Sequence, residues 1–203
     1  AFGLNSNLSH VCATLMDMEG SDHMVQGTER PRIDIEALDA DAAKVAVHDV
    51  VHIYEASWLA TYPNEEYDIT QDDIREHFSD EDALIKRWEE SILGDENRQI
   101  WVAKDAEKIV GFCIAKKGDK ENELEYIYLL SEYQGMKIGK SLMHKAMEWL
   151  GTDKDIVLYG AAYNTSAIEF YRKYGFERVD ADIPAKKLEN GKEIPSMMMR
   201  KSV

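Results

Sequence analysis

Apolar residues along this chain recur alternately every second position and every third or fourth, and the switches between the two periods divide it into elements. Residues 32–35 alternate and predict a short first strand. Asp41 is placed to cap a long amphipathic helix through Val45, Val47, Val51, Ile53, Tyr54, Trp58 and Leu59, which Tyr62, Pro63 and Asn64 break. A second helical region starts at Thr70, runs through Ile74, Phe78, Leu84, Ile85, Trp88 and Ile92, and ends at Gly94. Residues 98–103 and 109–115 read as antiparallel strands around a polar turn at 104–108. Residues 124–130 form a third strand, with a helix over 135–150 that sets Ile138, Leu142, Ala146, Trp149 and Leu150 on one face. A strand at 155–160, a helix at 165–173 and a strand at 176–179 follow, and Asn190-Gly191 signals a hairpin between 187–188 and 194–199. The order β-α-α-β-β-β-α-β-α-β-β predicts an α/β chain of the α+β kind, a mixed sheet with helices on both faces.

The step from the third strand into its helix carries the first chemical signal. Gln134, Gly135, Met136, Lys137, Ile138, Gly139 and Lys140 lie where backbone N–H groups at a helix start are unpaired and point one way. Such a start binds phosphate, glycine lets the backbone approach the anion, and the two lysines add positive charge. This predicts a nucleotide-type cofactor. Further along, Asn164 and Tyr171 are seven residues apart, two helical turns, and can face one groove if a helix includes or abuts both. An amide can hold a peptide-like ligand arm and a phenol can protonate a leaving group, although either residue alone also fits a helix start or a core ring. Only three residues separate Gly135 from Gly139, one short of a P-loop, and no magnesium-binding strand end accompanies them. His48 and His52 mimic a helical zinc motif with Asp49 where the protease motif has Glu, and a solvated polar face explains them better; no metal is expected.

Composition narrows the field. With 203 residues the chain is long enough for one domain with a sizeable core. Net charge is −15, and about −12 without the first thirty residues, which disfavours a nucleic-acid partner. No apolar run approaches a membrane span. Cys12 and Cys113 fall short of a disulfide framework, Cys113 reads as a core residue, and a cytoplasmic location is expected. Residues 1–30 lack sustained periodicity, and Gly20-Ser21-Asp22-His23-Met24 resembles a vector-derived scar; an N-terminal extension or expression remnant is expected there, with a single domain over 31–203.

Taken together, "LEYIYLL", "EYQGMKIGKSLM" and "YNTSAIEFYRKYGFERV" resemble the GNAT superfamily of N-acetyltransferases over most of the chain from residue 31. The second segment is similar to that family's Gln/Arg-x-x-Gly-x-Gly/Ala acetyl-CoA loop, with Lys137 in place of the first glycine and Gly139 as the second. The exchange keeps a backbone N–H but demands that Lys137 avoid a φ reserved for glycine. In the third segment Asn164, Tyr171, Gly175 and Phe176 stand at the family's recurring positions. "SWLATYPNEEYDITQDDIREHF" resembles the early region of microbial polyamine acetyltransferases.

The resemblance implies a mostly antiparallel sheet with splayed central strands, and direct transfer from acetyl-CoA to an amine. Ile127, Tyr128 and Leu129 would hold the pantetheine arm and polarise the thioester. Residues 134–140 would hold the pyrophosphate, Asn164 would contact the pantetheine, and Tyr171 would protonate the departing thiolate. An alkylamine, with a pKa of about 10.4, must first lose a proton. Glu123 or Glu125, two residues apart on one strand and so on one face, could take it. Tyr159 stands where some family members carry a carboxylate base. The expected acceptor is a small cationic amine such as a polyamine, met by Glu65, Glu66, Asp68, Asp72 and Asp73. A protein or peptide acceptor, or acetyl-CoA binding without catalysis, stays open, and a homodimer is compatible.

Overall fold

The computed structural model describes residues 31–92 and 95–203. Residues 1–30 and Gly94, the expected end of the second helical region, lie outside the described residues, as does Cys12.

Strand β1 (Ile33–Leu38) leads into α1 (Ala40–Thr61), whose cap is Asp39: its carboxylate accepts from the Ala42 N–H at 2.9 Å. The expected cap, Asp41, lies in the first turn instead, and Val45 is exposed, because Val47, Val50, Val51, Tyr54 and Trp58 define the buried stripe. The second helical region is two helices, α2 (Gln71–His77) and α3 (Glu81–Ser91). Thr70 and Asp73 close a reciprocal capping box at the start of α2, and Asp80 opens α3 by accepting from the Ala83 N–H. The break falls at residues 78–80, where an N-cap aspartate competes with helix continuation.

Strands β2 (Arg98–Asp105) and β3 (Lys108–Lys116) form a hairpin tighter than expected, because Ala106 takes a positive φ of 53° and strand pairing reaches Asp105 and Lys108. Strand β4 (Asn122–Leu129), a 3-10 turn at Ser131–Tyr133 and α4 (Ile138–Leu150) follow. Then come β5 (Ile156–Ala161), α5 (Thr165–Arg172), β6 (Glu177–Val179), β7 (Lys186–Lys187), β8 (Glu193–Ile194) and β9 (Ser196–Lys201). The predicted Asn190-Gly191 hairpin joins β7 to β8, with Gly191 at φ 84°. The expected strand at 194–199 is divided: Pro195 separates β8 from β9, and β9 enters the main sheet.

Seven strands form that sheet in the order β1-β2-β3-β4-β5-β9-β6, antiparallel at every junction except β4–β5. On one face, Tyr54 of α1 and Trp88 of α3 meet Phe112, Tyr126 and Tyr128 of the sheet edge to face or tilted, while Phe78, just after α2, packs edge to face on Tyr54 and Trp58. On the other, α4 covers the central strands, with Trp149 against Trp101. Such ring pairs add about 0.5–1.5 kcal/mol each beyond area burial. Cys113 is fully buried, and burial alone raises its thiol's pKa, as expected of a core residue.

Candidate active site

Strands β4 and β5 are paired only at Asn122–Ile156 and Glu123–Val157, after which they part. The root of this cleft is pinned by Asn122, buried, whose side chain donates to the Leu150 carbonyl at 3.0 Å and accepts from the Gly118 N–H at 3.3 Å. A β-bulge displaces Glu125, since Ile114 faces Tyr126 while Ala115 faces Leu124. The Leu130 N–H donates to the Val110 carbonyl, so strand alternation turns the N–H groups of Ile127 and Leu129 away from β3 and into the cleft. Tyr128 is turned the other way: its backbone serves β3, and its hydroxyl accepts from the Trp58 indole N–H at 3.1 Å.

The open end of the cleft meets the start of α4. The first bond of that helix runs from the Ser141 N–H to the Lys137 carbonyl, so the N–H groups of Ile138, Gly139 and Lys140 precede the intrahelical ladder. No side chain caps this end. Lys137 does not avoid the glycine-like conformation: it sits at φ 63°, ψ 12°, and Gly135 also has a positive φ, 75°. A left-handed lysine costs about 1–2 kcal/mol, and here it turns the chain abruptly into the helix. Met136 is half exposed, Ile138 and Gly139 are buried, and the buried Nε2 of Gln134 has no hydrogen-bond partner among the described residues. Beside that amide lie the backbone donors of residues 138–140, ahead of the helical ladder.

The two candidate carboxylates differ sharply. Glu125 is buried and takes a bidentate pair from Arg98, at 2.7 and 2.8 Å, while Arg98 also binds Asp95 at 2.6 Å. Glu123 is half-buried, one of its oxygens is enclosed without a hydrogen bond, and its pKa is pushed up to about 8, first by burial and then by the Glu125 charge. Burial favours the neutral acid, and the paired neighbour adds repulsion without donating a bond. The Arg98 partnership was not foreseen, because nothing in the spacing of residues 98 and 125 joins them before β2, β3 and β4 are aligned.

Asn164 is the N-cap of α5, its side-chain oxygen accepting from the Ala167 N–H at 3.1 Å. Tyr171, on the same helix, is fully buried with its ring edge-on to Phe176. One residue before Asn164, Tyr163 donates its hydroxyl to the Tyr62 carbonyl at 2.7 Å and stacks on Tyr67, tying α5 to the loop between α1 and α2. That loop is tied in turn to the β7–β8 hairpin: the Lys192 ammonium meets Asp73 at 2.9 Å and Asp68 at 3.2 Å, and Asn190 donates to Asp73. His77 stacks on Trp58 and pairs with Glu189. The expected acidic wall is therefore largely occupied, Asp68 and Asp73 by Lys192 and Asp72 by Arg75, while Glu65 and Glu66 stay exposed.

Among the described residues no group of three His, Cys, Asp or Glu gathers as a metal site, and His48 lies exposed 3.7 Å from Glu81. No described helix is long and apolar enough to cross a membrane.

Comparison with known proteins gives a consistent picture. The model of the acetyltransferase (GNAT) family matches residues 47–176. A spermidine N(1)-acetyltransferase of Thermoplasma acidophilum is 30% identical over 156 residues, covering 71% of this chain and 92% of that protein. An uncharacterized N-acetyltransferase of Mycobacterium tuberculosis is 32% identical over 96 residues, 42% of this chain, and the match spans only 56% of that relative's length. Among solved structures, the PaiA N-acetyltransferase of T. acidophilum in complex with coenzyme A superposes with a TM-score of 0.58 at 26% identity, over 85% of this chain and 99% of that one.

Proposed function

Because the chain belongs to the acetyltransferase (GNAT) family, we propose that it transfers the acetyl group of acetyl-CoA directly to a primary amine, with residues 31–203 as its single catalytic domain. The observation that carries this reading is the cleft between β4 and β5 opening onto the uncapped start of α4. The N–H groups of Gly135 to Lys140 supply donors for a pyrophosphate, and those of Ile127 and Leu129 supply donors for the pantetheine arm and the thioester oxygen. Gln134 offers one more donor. Asn164 starts the helix that bears Tyr171, and the Tyr171 hydroxyl is the acid for the departing sulfur.

Glu123 is the base. A group held near pKa 8 is still ionised in part at neutral pH and is far closer to an ammonium than an ordinary carboxylate. Glu125 serves instead to anchor Arg98 and to raise Glu123 through its charge.

For the acceptor, the reading is a small cationic amine such as a polyamine. The likeness to a spermidine acetyltransferase and the net charge of −15 support it. Asp68 and Asp73 support it less than their sequence suggested, since Lys192 already neutralises them. The test is an acetyl-CoA turnover screen over polyamines, monoamines, amino acids and peptides, with intact mass of the product. Amine-dependent CoA release with a 42-unit mass gain, roughly that of one acetyl group, is expected; cofactor binding without release for any amine would leave a binding module.

A further inference from the structure

We propose that Tyr159 is a positioning residue for proton removal: its hydroxyl and the unpartnered oxygen of Glu123 hold one water, through which the acceptor's proton reaches Glu123. The inference rests on the reading of Glu123 as the base.

The register of the sheet places the two residues together. Glu123 is opposite Val157 in the last paired position between β4 and β5, so the two side chains share a face. Tyr159 is two residues further along β5 and returns to that face as the first such side chain beyond the point where the strands part. It is half-buried, and it feels the charges of Glu123 and Glu121. Its burial first, and then those charges, hold its hydroxyl above the usual tyrosine range, so it stays a hydrogen-bond donor throughout the working pH.

Glu123 needs such a donor. An enclosed carboxylate oxygen without a hydrogen bond loses its solvation, and a bridging water with two or three polar partners restores it. The charged and titratable groups around Glu123 are otherwise committed: Arg98 binds Glu125 and Asp95, Lys116 binds Asp95, and Arg200 on β9 binds Glu121 and Asp155. Tyr126, beside Glu125 and Arg87 on the helical face, is half-buried and has its pKa raised, first by desolvation, so it does not exchange protons in this range.

The step balances simply. The acceptor ammonium gives one proton through the water to the Glu123 carboxylate, and the freed nitrogen pair bonds the acetyl carbon. As the C–S bond breaks, sulfur takes the Tyr171 proton; the second N–H proton leaves to solvent, and solvent restores Tyr171.

The experiment compares the parent with Tyr159→Phe and Glu123→Gln, using the amine that turns over in the screen. Both kcat/KM across pH and the Glu123 carboxylate's own titration by carbon NMR in the resting protein are read. Tyr159→Phe should move both midpoints up by about one unit, the equivalent of a lost hydrogen bond to a charged group. It should leave coenzyme A affinity unchanged. Unmoved midpoints, with a rate lowered equally at every pH, would show that Tyr159 only packs and would overturn the proposal. If Glu123→Gln keeps the acidic limb at the same pH, the base assignment itself fails, and the proposal falls with it for a separate and recognisable reason.

Discussion

Glu123 and Glu125 stand two residues apart on one strand, yet one is neutralised by a guanidinium and the other is left half-buried without a matching charge. This difference has a stability signature. The folded pKa of Glu123, about 8, lies above its ordinary value of 4.5, so the native state holds that proton over a range where the unfolded chain has lost it. Its contribution to stability is complete below the unfolded value and declines as pH rises towards 8. Glu123→Gln should flatten that decline in chemical-denaturation midpoints measured between the two values, whereas a slope equal to the parent's would place the burden elsewhere. Tyr171→Phe should leave coenzyme A affinity near the parent's and lower turnover by roughly 10²-fold or more; calorimetry and steady-state rates separate the two, and an unchanged rate would make the ring purely structural. Both residues were visible in the sequence as candidates. What was not visible was the choice between the two glutamates, because Arg98 reaches Glu125 only after three strands are aligned and a bulge turns Glu125 out of simple alternation.

Elements proved more legible than their ends. The period of three to four located α1, α4 and α5, and alternation located β2, β3 and β4, because these signals come from burial of whole faces. Ends depend on one or two polar groups, and there the reading slipped: Asp39 and not Asp41 caps α1, and Asp80 interrupts what had read as one helix. Lys137 is the sharpest case. Its left-handed φ of 63° was expected to be avoided, yet the abrupt turn into α4 requires it. Lys137→Gly should therefore hold or raise the melting temperature, because relief of side-chain strain offsets the added chain entropy. Lys137→Val should lower stability by about 1 kcal/mol or more, since β-branching is least compatible with that region. Equal stabilities for the two would mean that the turn relaxes. Gly139, buried in the first turn, leads to a parallel expectation for binding: a bulky residue there should weaken coenzyme A affinity by calorimetry while the far-ultraviolet signal is retained.

At the scale of the molecule, the acidic excess and the internal ties act against each other. Lys192 and His77 bind the hairpin to the α1–α2 region, so carboxylates that looked available to a cationic substrate in the sequence are partly used to hold the rim together. No local pattern announces such a tie, because Lys192 and Asp68 are brought together by the whole fold. A diamine should still be acetylated faster than a monoamine of matched length, and its advantage should shrink as salt rises, since the long-range field is screened. Equal rates without salt dependence would remove charge from acceptor selection. The placement of β9 has a different consequence, one for synthesis in the cell. Among the described residues strand β6 pairs with β9 alone, and β9 also supplies the outer partner of β5, although both strands precede it in the chain. While the ribosome is still delivering residues 196–201, β5 and β6 carry exposed ladders that a neighbouring nascent chain could capture. The antiparallel run from β1 to β4 can assemble as it emerges, whereas the wall on the β5 side of the cleft must wait for a segment made later, so slowed translation just before β9 should lengthen chaperone dependence more than the same pause placed after it.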